Sequence, residues 1–165
     1  MKLATQFFLF LTIILWANII GAITYSHIAF LPSYLSHLPE SSILVTGNYP
    51  IEEGKFWTMI HPLTVLSLII TILLNWKNNS RRKYLLISLG IYALALIATF
   101  TYFLPELGAF RESNSATTIS AEEWLARGQR WQSLSLIRGF GMLIGFLMLL
   151  VALTKKSTTP SVARL

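Results

Sequence analysis

Four long apolar segments alternate with polar stretches along this chain. They cover approximately residues 7–30, 57–76, 84–104 and 131–153. Each has about the 20 residues that an α-helix needs to cross a hydrocarbon core of about 30 Å. Hydrophobicity within each segment is continuous rather than alternating, which favours helices over the strands of a membrane barrel. We therefore predict an all-α fold, a bundle of four transmembrane helices.

The composition agrees with a membrane environment. Hydrophobic residues make up 54% of the chain and charged residues 12%, which is too little polar surface to cover a water-soluble bundle. We predict a single integral membrane domain over residues 1–165, multi-pass, in a bacterial cytoplasmic membrane. The first segment could also be read as a signal peptide, but its apolar run is longer than is typical of one, so we expect it to stay as a span.

The charges differ between the two ends of the predicted bundle. All seven glutamates lie within residues 40–53 and 106–123, beside the two longer connections. Eight of the thirteen lysines and arginines lie near the other ends of the segments, namely Lys2, Lys77, Arg81, Arg82, Lys83, Lys155, Lys156 and Arg164. By the positive-inside rule both termini are cytoplasmic and the two longer loops face outward. The basic excess then favours anionic lipid of the bilayer as a partner, with no role in nucleic-acid binding.

Polar side chains inside the apolar segments recur at helical spacing. Such groups are expensive in hydrocarbon, so they are expected to face the bundle interior. The stripes are Trp57, His61, Thr64 and Leu68 on the second helix; Tyr92, Ala95, Thr99, Tyr102 and Glu106 on the third; and Trp131, Ser135, Arg138, Met142 and Gly145 on the fourth. Turned inward, they would enclose a polar pocket in the outward half of the bundle.

Two interpretations of this pocket remain open, and the sequence does not decide whether the protein is an enzyme. In the first, His61 is a general base, Arg138 an electrostatic stabiliser and Tyr102 a proton donor, acting on a small apolar ligand. Thr99, Glu106, Trp131 and Ser135 would contact that substrate. In the second, the buried His, Arg, Tyr and Glu satisfy one another as a noncatalytic polar lock, and the loops bind a partner.

A metal site is a further alternative. Two imidazoles and a carboxylate, from His27, His61 and Glu106, form a ligand set that zinc and non-haem iron use. Two histidines on neighbouring helices could instead ligate haem. No local motif supports either, so we expect no cofactor. A transporter role remains possible in principle and would favour a homo-oligomer, because four helices are few for a transport path.

Short motifs at the span ends resemble a known family. These are Phe30-Leu31-Pro32, the stretch from Thr101 to Leu107, and Trp131 followed by Ser135 and Arg138. Together they resemble the anthrone-oxygenase-like family of small four-helix membrane proteins. An asparagine often stands between the tryptophan and the arginine in that family, whereas here Ser135 is the nearest polar residue. The resemblance implies oxidation of a polycyclic phenolic substrate by dioxygen without a metal, with His61 removing a proton and Arg138 stabilising the enolate.

Overall fold

The computed structural model describes residues 2–115 and 118–155, and these residues are almost entirely helical, with no strand among them. The α-helices are α1 (Lys2–Tyr25), α2 (Leu31–Leu35), α3 (Ile43–Thr46), α4 (Glu53–Leu74), α5 (Asn79–Ala98), α6 (Leu104–Arg111) and α7 (Ala121–Thr154). Two π-helical segments, Ser26–Phe30 and Thr99–Phe103, join α1 to α2 and α5 to α6 without a break. Short 3₁₀ turns cover Glu40–Ser42 and Ser113–Ser115.

Four continuous helices are long and apolar enough to cross a membrane. They are the first span (Leu3–Leu35), the second (Glu53–Leu74), the third (Asn79–Arg111) and the fourth (Ala121–Thr154). The predicted all-α fold with four membrane-spanning helices is confirmed. This is the architecture of a multi-pass membrane protein.

The first and third spans extend further than the sequence predicted. The predicted first segment ended at about residue 30, just before Pro32, but the helix continues to Leu35, and the third continues past Pro105 to Arg111. In an α-helix the proline ring would clash with the carbonyl four residues earlier. Just before each proline the helix instead widens to a π-turn, in which the N–H of the following leucine bonds the carbonyl five residues earlier. The extra residue makes room for the ring, so the helix continues.

Because these helices are longer, the two long connections are shorter than predicted and cover residues 36–52 and 112–120. Both lie at the same end of the bundle, called here the long-loop end. At the opposite end, the short turn between the second and third spans lies beside the end of the fourth, where Arg81 Nε donates a 2.8 Å hydrogen bond to the Lys155 carbonyl. Ser120 accepts from the Glu123 N–H at 3.2 Å, which makes it the N-cap of the fourth span.

Buried apolar side chains form two clusters. The larger one fills the middle of the bundle around Trp16, Leu68 and Tyr92. The second lies at the long-loop end, around Tyr34, Phe103 and Trp131. The first connection folds back onto the spans through Leu38, which is buried in this cluster, and through Leu44 and Val45, which pack against it partly buried.

Two glycines of the fourth span allow the close packing of these clusters. A Cβ on Gly145 would lie 2.8 Å from the Trp16 ring, and one on Gly128 would lie 2.7 Å from the Leu35 carbonyl oxygen. Both distances are too short for a side chain. The fourth span therefore packs against the first at both levels through its glycine backbone, as small residues do in membrane bundles.

Candidate functional site: polar contacts between the spans

His61 and Tyr92 connect the second and third spans. The Nδ1 of His61 lies 2.6 Å from the Tyr92 hydroxyl. The imidazole also stacks on Trp57, with ring centroids 5.5 Å apart, while the edge of Trp16 meets Tyr92. The other nitrogen of His61, Nε2, makes no hydrogen bond within the described residues and is not enclosed. One side of the imidazole is thus fixed and the other is open.

Arg138 connects the fourth span to the third. Its guanidinium donates to Thr99 Oγ1 at 2.7 Å and to Ser135 Oγ at 3.2 Å. The charge lies over the Phe103 ring, with Cζ 4.0 Å from the centroid, as in a cation–π contact. Arg138 is also close enough to His61 for electrostatic interaction. The guanidinium is therefore held by two hydroxyls and an aromatic face, rather than by a carboxylate.

Two further contacts hold the third and fourth spans together nearer the long-loop end. Trp131 is buried and its indole N–H donates to the Phe103 carbonyl at 3.1 Å. Arg127 forms two parallel hydrogen bonds to the Glu106 carboxylate, of 2.9 and 3.1 Å, the geometry in which arginine binds carboxylates most strongly. Glu106 therefore pairs with Arg127 and not with Arg138.

The sequence reasoning missed a cluster of hydroxyls that joins the first and second spans. Thr12 Oγ1 lies 2.8 Å from Ser67 Oγ and 2.9 Å from Thr71 Oγ1, and all three side chains are buried. The signal that could have found it is the spacing of hydroxyl residues at 64, 67 and 71, which places them on one helix face. At a similar position between the third and fourth spans, Ser88 Oγ donates to the Gly145 carbonyl at 2.9 Å.

Several predicted site residues lie elsewhere than expected. Tyr102 contacts neither His61 nor Arg138; its ring meets the edge of Phe103, and its hydroxyl makes no hydrogen bond within the described residues. The tyrosine that meets His61 is Tyr92. By contrast, Thr99 and Ser135 do gather around Arg138, as the helical spacing predicted.

The proposed metal ligands do not form a site. In residues 2–115 and 118–155, no group of three or more His, Cys, Asp or Glu side chains is placed to hold a metal ion. Glu106 is occupied by Arg127, and the Nδ1 of His27 lies 2.9 Å from the Ile23 carbonyl of its own helix. The structure therefore does not bring His27, His61 and Glu106 together as a ligand set among the described residues.

Two clefts lie between the first span and the start of the second. The larger, of about 500 Å³, is open and lined by Ala17, Asn18, Gly21, Ala22, Tyr25 and Phe56. The smaller, of about 130 Å³, is lined by Ala22, Tyr25, Ser26, Glu53, Phe56 and Trp57, and at its edge Ser26 Oγ donates to Glu53 Oε1 at 2.7 Å. Neither is lined by His61, Tyr102 or Arg138. Trp57, which stacks on His61, stands between the smaller cleft and the imidazole.

Comparisons with protein-family models, with curated proteins and with solved structures give no match to this chain.

Proposed function

We propose that the protein is a noncatalytic multi-pass membrane protein in which polar side chains lock the spans together. The observation that carries this proposal is that the polar groups bond across neighbouring spans. His61 reaches Tyr92, Arg138 reaches Thr99, and Arg127 reaches Glu106. We call these three contacts the polar lock.

Polar contacts matter here because lipid, not water, surrounds the spans. Lipid tails are as apolar as leucine side chains, so the hydrophobic effect adds little to the contact of one span with another. Hydrogen bonds between spans contribute about 0.6 kcal/mol on average and up to about 2 kcal/mol each. A polar group facing lipid could bond only to its own helix, not to the lipid tails. The lock therefore favours one arrangement of the four spans over the alternatives.

Under this proposal the lock holds a frame for the two long connections, which would bind a partner. We infer from the positive-inside rule that these connections face outward and that both termini are cytoplasmic. The second apolar cluster, at the long-loop end, supports a partner-binding role. It holds Leu38 of the first connection against Tyr34 and Trp124 of the spans. A fixed surface loses less conformational entropy on binding than a mobile one.

A double-mutant cycle tests the lock. We expect His61→Phe and Tyr92→Phe each to lower the free energy of unfolding in bilayers or bicelles, with a coupling of about 0.5–2 kcal/mol between them. The cycle of His37→Phe with Tyr92→Phe is the matched control, because His37 is exposed and bonds only the Ser33 carbonyl of its own helical turn. Its coupling should be near zero. Zero coupling between His61 and Tyr92 would exclude the lock.

The open Nε2 of His61 favours a second candidate function, general-base catalysis. In the tautomer that carries its proton on Nδ1, His61 donates its 2.6 Å hydrogen bond to the Tyr92 oxygen. Nε2 then carries a free lone pair that can take a proton from a substrate.

Arg138 would stabilise the resulting anion, and Tyr92 would orient the imidazole, whereas Tyr102 was predicted as the proton donor. With an anthrone-like substrate, a CH₂ group and one O₂ would become a C=O group and one water, so no other oxidant is needed. The substrate would enter from the lipid through the clefts beside Trp57.

Oxygen consumption by the purified protein with anthrone tests this candidate. We expect catalysis to depend on His61 and to be lost in His61→Ala, while Phe56→Ala at the cleft edge raises KM more than it lowers kcat. If purified folded protein consumes no more oxygen than His61→Ala, general-base catalysis on this substrate is excluded. The double-mutant cycle does not depend on that result.

A further inference from the structure

One face of the first span is unlike the rest of the bundle surface. We call it the Asn18 face; it consists of Ala17, Asn18, Gly21, Ala22 and Tyr25. These residues, with Phe56 of the second span, line the open cleft of about 500 Å³. A Cβ on Gly21 would meet no atom within 4 Å. The cleft is thus a free surface on which another helix could approach the backbone closely.

Asn18 is a polar group placed where the bilayer offers nothing to bond. It lies about halfway along the 33-residue first span and is exposed on the outside of the bundle. Its Nδ2 donates to the Ile14 carbonyl of its own helix at 2.8 Å, and no other bond of this side chain occurs within the described residues. One N–H and the amide oxygen are therefore left facing hydrocarbon, which is costly.

This cost distinguishes Asn18 from the inward-facing His61 and Arg138 and from the exposed hydroxyls of the spans. His61 and Arg138 face inward and find partners on neighbouring helices. Exposed hydroxyls such as that of Thr24 bond a carbonyl of their own helix and have a single proton to place. Asn18 has two amide protons and one carbonyl oxygen, so one intrahelical bond does not satisfy it.

We propose that the Asn18 face is the docking surface for a second copy of this chain. An amide both donates and accepts, so two Asn18 side chains related by a twofold axis along the membrane normal can bond each other reciprocally. Two copies inserted in the same direction bring their asparagines to the same depth automatically. A different protein would need its own polar group at that depth, which is rare near the bilayer centre.

The shape of the face fits this partner. Ala17 and Gly21 are four residues apart, a spacing that lets two helix backbones approach closely. The cleft beside them accepts side chains from the facing helix, and Tyr25 adds a largely exposed ring one turn nearer the long-loop end. The proposal concerns assembly, so it stands whether the protein is noncatalytic or an enzyme.

Cysteine cross-linking in membranes locates the interface directly, because the natural chain contains no cysteine. We expect full-length Ala17→Cys and Gly21→Cys proteins to form covalent dimers on mild oxidation. Leu94→Cys is the matched control, since Leu94 lies near the middle of the third span and is 68% exposed. It should not cross-link above the random background. Equal cross-linking at residues 21 and 94, or none at residues 17 and 21, overturns the proposal.

The strength of association is measured by single-molecule photobleaching in liposomes over a range of protein-to-lipid ratios. We expect Asn18→Leu to lower the dimer association constant about 3- to 20-fold, the range of a hydrogen bond between membrane helices. Gly21→Leu should lower it further, because its Cβ meets no atom of its own protomer within 4 Å and the longer side chain occupies the cleft.

Gly90→Leu is the matched control for Gly21→Leu. A Cβ there also meets nothing within 4 Å, but Gly90 lies on the exposed surface of the third span. Its dimer fraction should equal that of the natural chain. A monomeric natural chain, or unchanged association in both Asn18→Leu and Gly21→Leu, overturns the proposal. So does native mass spectrometry that finds a monomer with a small apolar molecule bound, lost only in Gly21→Leu.

Discussion

The two π-helical segments, Ser26–Phe30 and Thr99–Phe103, are built alike but are used differently. Each ends at a phenylalanine that is followed directly by Leu-Pro. In the third span two groups of the segment bond the fourth span: Thr99 accepts from Arg138, and the Phe103 carbonyl accepts from Trp131. In the first span the segment borders the smaller cleft through Ser26.

The difference is greatest at His27 in the first segment. Its Nε2 is enclosed and has no hydrogen-bond partner within the described residues. Within the described residues, the third-span segment thus makes two hydrogen bonds to the fourth span, and the first-span segment makes one to the second span, from Ser26 to Glu53. This teaches that a proline-induced π-turn supplies irregular backbone but does not by itself create a contact; the facing helix decides whether the contact forms.

The largest effect is expected from removing the cation at the third-span segment. Arg138→Ala takes away the side chain that covers Phe103 and bonds Thr99. We expect the free energy of unfolding to fall by about 2–4 kcal/mol, as for other large buried truncations. Unfolding in bicelles by SDS titration measures it. Arg130→Ala, at an exposed position two turns away, should change stability by less than about 0.5 kcal/mol. Equal losses in both would show that Arg138 is no part of a lock.

The next effect concerns the backbone of the same segment. Trp131→Phe keeps most of the ring but removes the N–H that bonds the Phe103 carbonyl. We expect a loss of about 1–2 kcal/mol, since a buried carbonyl loses its partner. Trp76→Phe is the control, because Trp76 is 51% exposed and lies at the short turn. A loss no greater than that control would mean that the carbonyl finds another donor.

The sequence predicts features of the fold that depend on neighbouring residues, but not contacts that depend on how two helices pack. The four spans and the inward stripes follow from hydrophobicity and helical periodicity, which are local properties. The stripe of the third span placed both Tyr92 and Tyr102 inward, but it could not decide which one meets His61. That choice depends on how far one helix slides along another, and packing sets this.

The π-turn adds a second reason. Tyr102 and Glu106 lie within or beyond Thr99–Phe103, where one extra residue per turn rotates everything that follows by about 100° relative to a regular α-helix. The stripe drawn with regular spacing therefore does not hold past Thr99. The prolines that follow the π-turns are visible in the sequence. The first predicted segment ended before Pro32, because a proline more commonly ends a helix than continues it.

A smaller effect is expected at the first-span segment. Ser26→Ala removes the 2.7 Å hydrogen bond to Glu53. We expect a loss of about 0.5–1 kcal/mol, less than for Trp131, because Glu53 is only half-buried and water can replace the bond. Thr24→Ala, whose hydroxyl bonds its own helix at an exposed position, should cost still less. A loss above that of Trp131→Phe would reverse the comparison between the two segments.

The smallest effect on stability is expected at His27, in contrast to the large effect expected at Arg138. His27→Leu removes the enclosed Nε2 that has no partner and also the Nδ1 contact with the Ile23 carbonyl. Losing an unsatisfied polar atom is favourable and losing the intrahelical bond is unfavourable, so we expect the two to offset and stability to change by less than about 0.5 kcal/mol. A loss of 2 kcal/mol or more, matching Arg138→Ala, would mean that His27 is engaged in the membrane by a partner or ligand, and that both π-segments carry polar contacts after all.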